Sequence, residues 1–191
     1  MRRPAARPTR EELEAARGKT LPDVMAPGLD VVFCGINPGL TSAALGYNFA
    51  TPGNRFWPTL HRSGFTPRRL LPEEQGRLLS YGLGITNMAA RPTARAAELT
   101  PAELRAGLLR LTATTERYRP RWLAILGVTA YRTAFARPGA GFGRQDERVA
   151  GAGVWVLPNP SGLNAGWSPD ALATAYASLR AVARGEDSPP G

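Results

Sequence analysis

Two short loops hold the side chains best suited to chemistry. The first runs Gly35-Ile36-Asn37-Pro38-Gly39-Leu40, continues through Gly46-Tyr47-Asn48-Phe49-Ala50, and closes on Asn54-Arg55-Phe56-Trp57; the second runs Leu157-Pro158-Asn159-Pro160-Ser161-Gly162-Leu163-Asn164. Alone, Gly-X-Asn-Pro-Gly is a stiff turn. Its recurrence as Asn-Pro-Ser-Gly, again directly after an apolar run, points to a site built from both. An asparagine amide has no useful basicity near neutral pH, so Asn37 can orient a water or a ligand but cannot act as a strong base.

Other chemistries find little support in the sequence. Cys34 is the only cysteine and His61 the only histidine, which rules out an internal disulfide and a four-thiolate cluster and argues against a Cys/His metal site. Gly139-Ala140-Gly141-Phe142-Gly143 matches a phosphate loop only in composition, because it follows a helical stretch and has no lysine, and it reads as a flexible connection.

The elements that must position the two loops are legible in outline. Thr9 and Glu12 form a capping box for a short helix ending at Gly18. Asp30 to Cys34, Gly84 to Thr86, Trp122 to Leu126 and Gly153 to Leu157 read as short buried strands, and a long loop is expected from Gly35 to about Gly53. Helices are expected from Asn54 to about Arg62, Pro72 to Ser80, Thr100 onward with Leu104, Leu108 and Leu111 on one face, Thr129 to Ala136, and Ser168 to Gly185 with Leu172, Tyr176 and Leu179 buried. Trp57, Trp122, Trp155 and Cys34 fall in apolar patterns and read as core. Strands alternating with helices imply an α/β fold with a parallel sheet covered on both faces, and in such folds ligands bind beyond the carboxyl ends of the strands. The two Asn-Pro loops lie there, as do the loops beginning at Asn87 and Gly127.

At 191 residues the chain fits one domain, expected over residues 9–185, with a flexible basic arm at 1–8 and a flexible tail at 186–191. The net charge of +9 fits a polyanionic partner such as nucleic acid, although Lys19 is the only lysine and an arginine-rich composition can also reflect a GC-rich genome. No apolar run approaches the length that spans a bilayer, and no signal peptide follows the basic start, so a reducing cytoplasm and no membrane partner are expected.

Taken together, the two loops resemble the signature motifs of the mismatch-specific uracil (Mug) and thymine-DNA glycosylase group of the uracil-DNA glycosylase superfamily. Asn54-Arg55-Phe56-Trp57, Thr86-Asn87-Met88 and Ala124-Ile125-Leu126-Gly127 resemble that group as well, so the likeness runs in order from Val31 to Leu179. It implies a three-layer α/β/α sandwich with a short, mostly parallel central sheet. It also implies an enzyme that flips uracil from double-stranded DNA carrying G·U or related mismatches and hydrolyses the N-glycosidic bond as a monomer, with no metal or organic cofactor.

The resemblance assigns roles residue by residue. Asn37 matches the residue that positions the attacking water, and Phe49 the aromatic that stacks on the flipped base. Gly35, Ile36, Pro38, Gly39, Ser42 and Asn87 would surround the uracil edge. Leu163 matches the wedge that fills the vacated space in the duplex, with a leucine folded back on the core as the alternative. Asn159, Pro160, Ser161, Gly162 and Asn164 would face the orphaned guanine or the phosphates, while Asn159 also fits a turn that holds the loop. Arg55 and Arg91 fit either phosphate contact or bracing of loops through carboxylates.

Two positions depart from the pattern. Bacterial relatives often have arginine at the position of Ala165, and relatives usually carry an acid at the catalytic position occupied here by Ala90. These departures leave a second reading open, a catalytically impaired or non-catalytic mismatch- or lesion-binding protein on the same scaffold. A nucleotide-binding enzyme of other chemistry is a third, weakened by the missing phosphate loop.

Overall fold

A computed structural model describes residues 7–186. The arm expected at 1–8 and the tail expected at 186–191 lie almost wholly outside them. Five strands form one sheet in the order β2-β1-β3-β5-β4, with β1 at Val31–Gly35, β2 at Leu83–Asn87, β3 at Trp122–Leu126, β4 at Gly143–Val149 and β5 at Ala152–Leu157. The first three and β5 pair in parallel, and β4 joins β5 antiparallel at the edge.

The parallel strands are apolar throughout because both faces are covered. Val31, Phe33, Leu83, Ile85, Leu126 and Leu157 pack on one side against α3 (Phe56–Arg62), α6 (Pro169–Arg184) and a 3₁₀ segment at Pro72–Tyr81. Val32, Cys34, Leu123, Ile125, Val154 and Val156 pack on the other against α4 (Pro101–Tyr118) and α5 (Val128–Ala134). Successive residues of a strand thus feed opposite cores, and the result is the expected α/β/α arrangement. The caps follow the sequence: Thr9 and Thr100 each accept from the amide three residues on, with Glu12 and Glu103 reciprocating, and Ser168 caps α6 over buried Leu172, Tyr176 and Leu179.

Four sequence expectations need correction. The stretch from Gly35 to Gly53 is not all loop, since Leu40–Leu45 forms the short helix α2, which carries no acidic residue or side-chain cap to announce it. The helix at Pro72 is 3₁₀ and extends to Tyr81. The glycine-rich connection at 139–143 leads into β4, whose Arg144, Gln145, Asp146 and Glu147 give an edge strand no apolar run. Trp122 is only partly buried, with the Arg144 guanidinium over its ring and Trp155 edge-on at 6.0 Å, whereas Trp57, Trp155 and Cys34 are core as expected.

From β1 the chain crosses to β2 on one side, then passes back over β1 to β3 on the other. The strand order therefore reverses between β1 and β3, and the crevice beyond their carboxyl ends is where a parallel sheet leaves room for a ligand.

Candidate functional site

At that crevice the loops after β1 and β2 are zipped together past the end of the sheet. Met88 N–H donates to Gly35 O at 2.8 Å, Ala89 N–H to Ile36 O at 2.9 Å, Thr93 N–H to Pro38 O at 3.1 Å, and Leu40 N–H to Thr93 O at 3.2 Å. The loop after β5 is tied on by Arg55, whose backbone N–H donates to Pro160 O at 2.9 Å and whose guanidinium donates to the carbonyls of Trp167, Ser161 and Asn164. Gly162 meets Gly53 so closely that a Cβ on Gly162 would stand 2.7 Å from the Gly53 carbonyl oxygen. Between these loops lies a cleft of about 450 Å³, within the range of small-ligand sites.

Asn37 stands in the cleft with its orientation fixed from behind. Its Nδ2 donates to Arg91 O at 2.8 Å and to Thr93 Oγ1 at 2.7 Å, and Thr93 Oγ1 donates onward to Arg95 O. Both amide hydrogens are thereby used, which leaves Oδ1 as the acceptor available to a water. Phe49 forms another wall. It has φ 53°, a left-handed conformation that costs a non-glycine residue about 1–3 kcal/mol, and its ring stacks on buried Phe56 with centroids 4.0 Å apart. Ser42 Oγ accepts from Ala50 N–H at 3.0 Å and anchors the segment that carries Phe49.

Asn87 closes the floor. Its Nδ2 donates to Asn48 Oδ1 at 3.1 Å, and its Oδ1 lies against Gly35, where a Cβ would stand 2.6 Å from that oxygen and 3.3 Å from the Phe49 ring. Only a residue without a side chain fits between them. From α4, Arg110 donates to the carbonyls of Asn87 and Met88 and so fixes the turn that follows β2.

The second Asn-Pro loop is rigid but presents an open tip. Asn159 Oδ1 accepts from Ser161 N–H at 2.9 Å, Ser161 Oγ accepts from Leu163 N–H at 3.2 Å, and Asn164 Nδ2 donates to Asn159 O at 3.0 Å. Asn159 is thus a turn-former, the structural option its sequence allowed. Leu163 is 83% exposed at the lip of the cleft, which excludes the alternative of a leucine folded back on the core.

The cleft's electrostatics come from dipoles. Among the described residues that line it there is no carboxylate, imidazole or thiol, and Arg95 at the rim is the one charged group. Cys34, behind the floor, is fully buried, and desolvation pushes its thiol up to about 12, so it is inert. Arg91 forks onto Glu103 at 2.7 and 3.1 Å and holds its carboxyl down at about 2, while also reaching Glu98 O. Arg91 therefore braces the Asn37-supporting loop through a carboxylate, and Arg55 braces the second loop through carbonyls instead. Asp23, bonded to Thr86 Oγ1 beneath β2, has its carboxyl raised by burial.

Of the fifteen site residues expected from sequence, twelve border the cleft. Ala90, Pro160 and Asn164 do not: Ala90 is exposed on the turn between Ala89 and Arg91, and the other two serve the inner face of their loop. Sequence reasoning missed Asn48, Thr93 and Gln75. Asn48 lies inside the Gly46 to Ala50 motif beside Phe49, and Thr93 lies two residues after Arg91, whereas no local pattern marks Gln75.

A search of solved structures finds agreement in fold with the solution NMR structure of a candidate uracil DNA glycosylase from Methanosarcina acetivorans, at TM-score 0.57 and 16% identity over 85% of this chain and 98% of that one. The family model described as the uracil DNA glycosylase superfamily matches residues 22–180, a span that takes in every strand and both Asn-Pro loops. The chain belongs to the uracil DNA glycosylase superfamily.

Proposed function

We propose that this protein is a monofunctional glycosylase of the mismatch-specific and thymine-DNA glycosylase group, which flips uracil from G·U mismatches in duplex DNA and hydrolyses its glycosidic bond. The observation that carries the reading is the convergence of Asn37, Phe49 and Asn87 in one cleft beneath the exposed Leu163. A base inside a duplex is out of reach, and a mismatch lowers the cost of extruding it. Leu163 fills the gap left in the stack, while Phe49 recovers about 1–3 kcal/mol by stacking on the extruded base. Asn37 Oδ1 orients a water toward the sugar carbon. Backbone N–H groups of the first loop that the zip leaves unused, those of Ile36, Asn37 and Gly39, stabilise charge on the departing base, while Asn87 Oδ1 accepts from the base edge. Thymine and modified pyrimidines fall within the same proposal. The basic surface favours DNA, and the protein works as a monomer in the cytoplasm.

A second reading, a binding protein with weak or no catalysis, is favoured by one observation: among the described residues lining the cleft there is no carboxylate, imidazole or thiol to transfer a proton, and Ala90 supplies none. Single-turnover release of uracil from labelled G·U, A·U and single-stranded substrates separates the two. The glycosylase reading expects release that is fastest on G·U and slowed at least about tenfold, or 1.4 kcal/mol, by Asn37→Ala with DNA binding kept. Binding of G·U duplex without release of uracil supports the second reading.

A further inference from the structure

A chain of three amides behind the cleft has a direction. It starts at Gln75 in the 3₁₀ segment, whose Oε1 accepts from the backbone N–H of Asn48 at 2.9 Å and from Asn48 Nδ2 at 3.1 Å. Asn48 Oδ1 then accepts from Asn87 Nδ2 at 3.1 Å, and Asn48 O accepts from Trp57 Nε1 at 3.2 Å. Asn48 is 3% exposed and Asn87 7%, so neither amide turns over against solvent.

A side-chain amide has a donor end and an acceptor end of nearly equal size, and only its partners decide which faces where. Here the decision is made by a group that has no choice. The backbone N–H of Asn48 can only donate, so the atom of Gln75 that it meets must be the oxygen. That oxygen requires the nitrogen of the Asn48 side chain, which sends the Asn48 oxygen to Asn87 and requires nitrogen there. The remaining atom of Asn87, its Oδ1, is left on the cleft side against Gly35, and among the described residues nothing donates to it.

We infer that Gln75 is a positioning residue for base selection: through Asn48 it locks Asn87 with its oxygen toward the cleft, so that the site accepts a pyrimidine bearing an N–H on the edge it presents, as uracil and thymine do at N3. A base with a bare ring nitrogen there meets oxygen against lone pair, which leaves two buried acceptors facing each other, a contact that costs as much as an unmade hydrogen bond. The inference rests on the reading that the cleft receives a flipped pyrimidine. Gln75 touches neither base nor sugar and acts only through the two asparagines.

The test measures affinity rather than turnover. Fluorescence anisotropy is read on duplexes carrying 2′-fluorinated nucleotides that resist cleavage, with either uracil or 2-pyrimidinone, whose N3 is a bare acceptor, opposite guanine. The parent protein should prefer uracil by about tenfold or more. Gln75→Met removes the acceptor at similar volume and frees the asparagines to turn, and should cut that preference at least about threefold. Gln75→Glu, which keeps an oxygen for both Asn48 donors, should retain it. A preference unchanged within twofold in folded Gln75→Met overturns the inference. If that variant does not fold, Asn87→Leu decides, since a preference that survives loss of the oxygen overturns it equally. Uracil release by the parent, measured on an unfluorinated duplex, tests the glycosylase reading separately: no release with the affinity preference intact defeats that reading and leaves the amide chain standing.

Discussion

Gly35→Ala places one methyl group at the tightest point of the cleft. The new Cβ would stand 2.6 Å from Asn87 Oδ1, where real Cβ contacts start at 3.0 Å and relax only beyond 3.4 Å, and 3.3 Å from the Phe49 ring. Asn87 must therefore retreat by roughly 0.4–0.8 Å, and Phe49 by a few tenths. Neither retreat is free, because Asn87 is held by Asn48 and through its own carbonyl by Arg110, while Phe49 lies flat on Phe56. Misplacement approaching 1 Å in a reacting site costs up to about 10²-fold, so uracil release should fall about 10- to 100-fold. Overpacking should cost the fold about 1–3 kcal/mol. The assay is single-turnover release from a G·U duplex well below the melting temperature, with a thermal melt in parallel. Gly153→Ala is the control: its Cβ would stand 2.6 Å from the Trp122 ring at the opposite end of the sheet, so it should cost comparable stability and leave release intact. Release by Gly35→Ala within about threefold of the parent, or an equal loss in Gly153→Ala, would refute the argument that this glycine is dictated by the site.

Leu163→Ala should leave thermal stability within about 0.5 kcal/mol, because the side chain is 83% exposed, yet reduce the preference for mismatched over matched duplex in a competition binding assay. Arg55→Met should cost about 2–3 kcal/mol, the worth of a charged hydrogen bond among the three it makes, and should raise amide exchange at 160–167 before it changes the strands. Release should be flat between pH 6 and 8.5, since no carboxylate, imidazole or thiol lines the cleft among the described residues; stability instead responds to acid. Glu103 and Glu74, paired with Arg91 and Arg68, have carboxyls held at about 2 against an ordinary 4.5, so their contribution is complete above 4.5 and is lost as the pH falls toward 2, a slope that Glu103→Gln should reduce in a melting series. Ala90→Asp should raise release by less than the 10²–10⁴-fold of a direct general base, because position 90 is exposed outside the cleft and acts there through water; single-turnover rates that do not rise at all would leave the position without a catalytic role.

What the sequence revealed and what it hid differ for physical reasons. The parallel strands were legible because a strand buried on both faces must be apolar at every position, as in Val31-Val32-Phe33-Cys34 and Trp122 to Leu126. Edge strand β4 was not, since Arg144 to Glu147 are all polar and alternate between exposed and half-buried positions, which leaves no apolar run to read. The two Asn-Pro loops stood out because the same stiff turn recurs directly after two buried strands. The partners that aim those side chains were illegible: Asn37 depends on Thr93, 56 residues away, and Arg55 on carbonyls 106 to 112 residues away. Backbone carbonyls carry no sequence signal, so an arginine that braces through them looks the same as one that waits for phosphate.

The same arrangement explains how a site without an acid or a base could open a glycosidic bond at all. With no acidic or basic side chain among the described lining residues, the proton lost by the attacking water passes to solvent or to the departed base, and a transition state of departing base and cation-like sugar is favoured by dipoles already pointing the right way, since a dipole contributes little if it must first reorient. Four polar groups of this cleft are held from behind: Asn37 by Arg91 O and Thr93, Asn87 by Asn48, Ser42 by Ala50, Asn159 by Ser161. The cost is visible in the left-handed backbone of Phe49 and in the buried Arg55 Nε that bonds to nothing among the described residues. Both are unfavourable for folding alone, and both sit in segments held by other bonds, Phe49 by its stacking on Phe56 and Arg55 by its terminal nitrogens on three carbonyls. As a glycosylase, such a site would discriminate by shape and by the direction of its amides, and the proposed selectivity therefore depends on Gln75 and Asn48 behind the cleft.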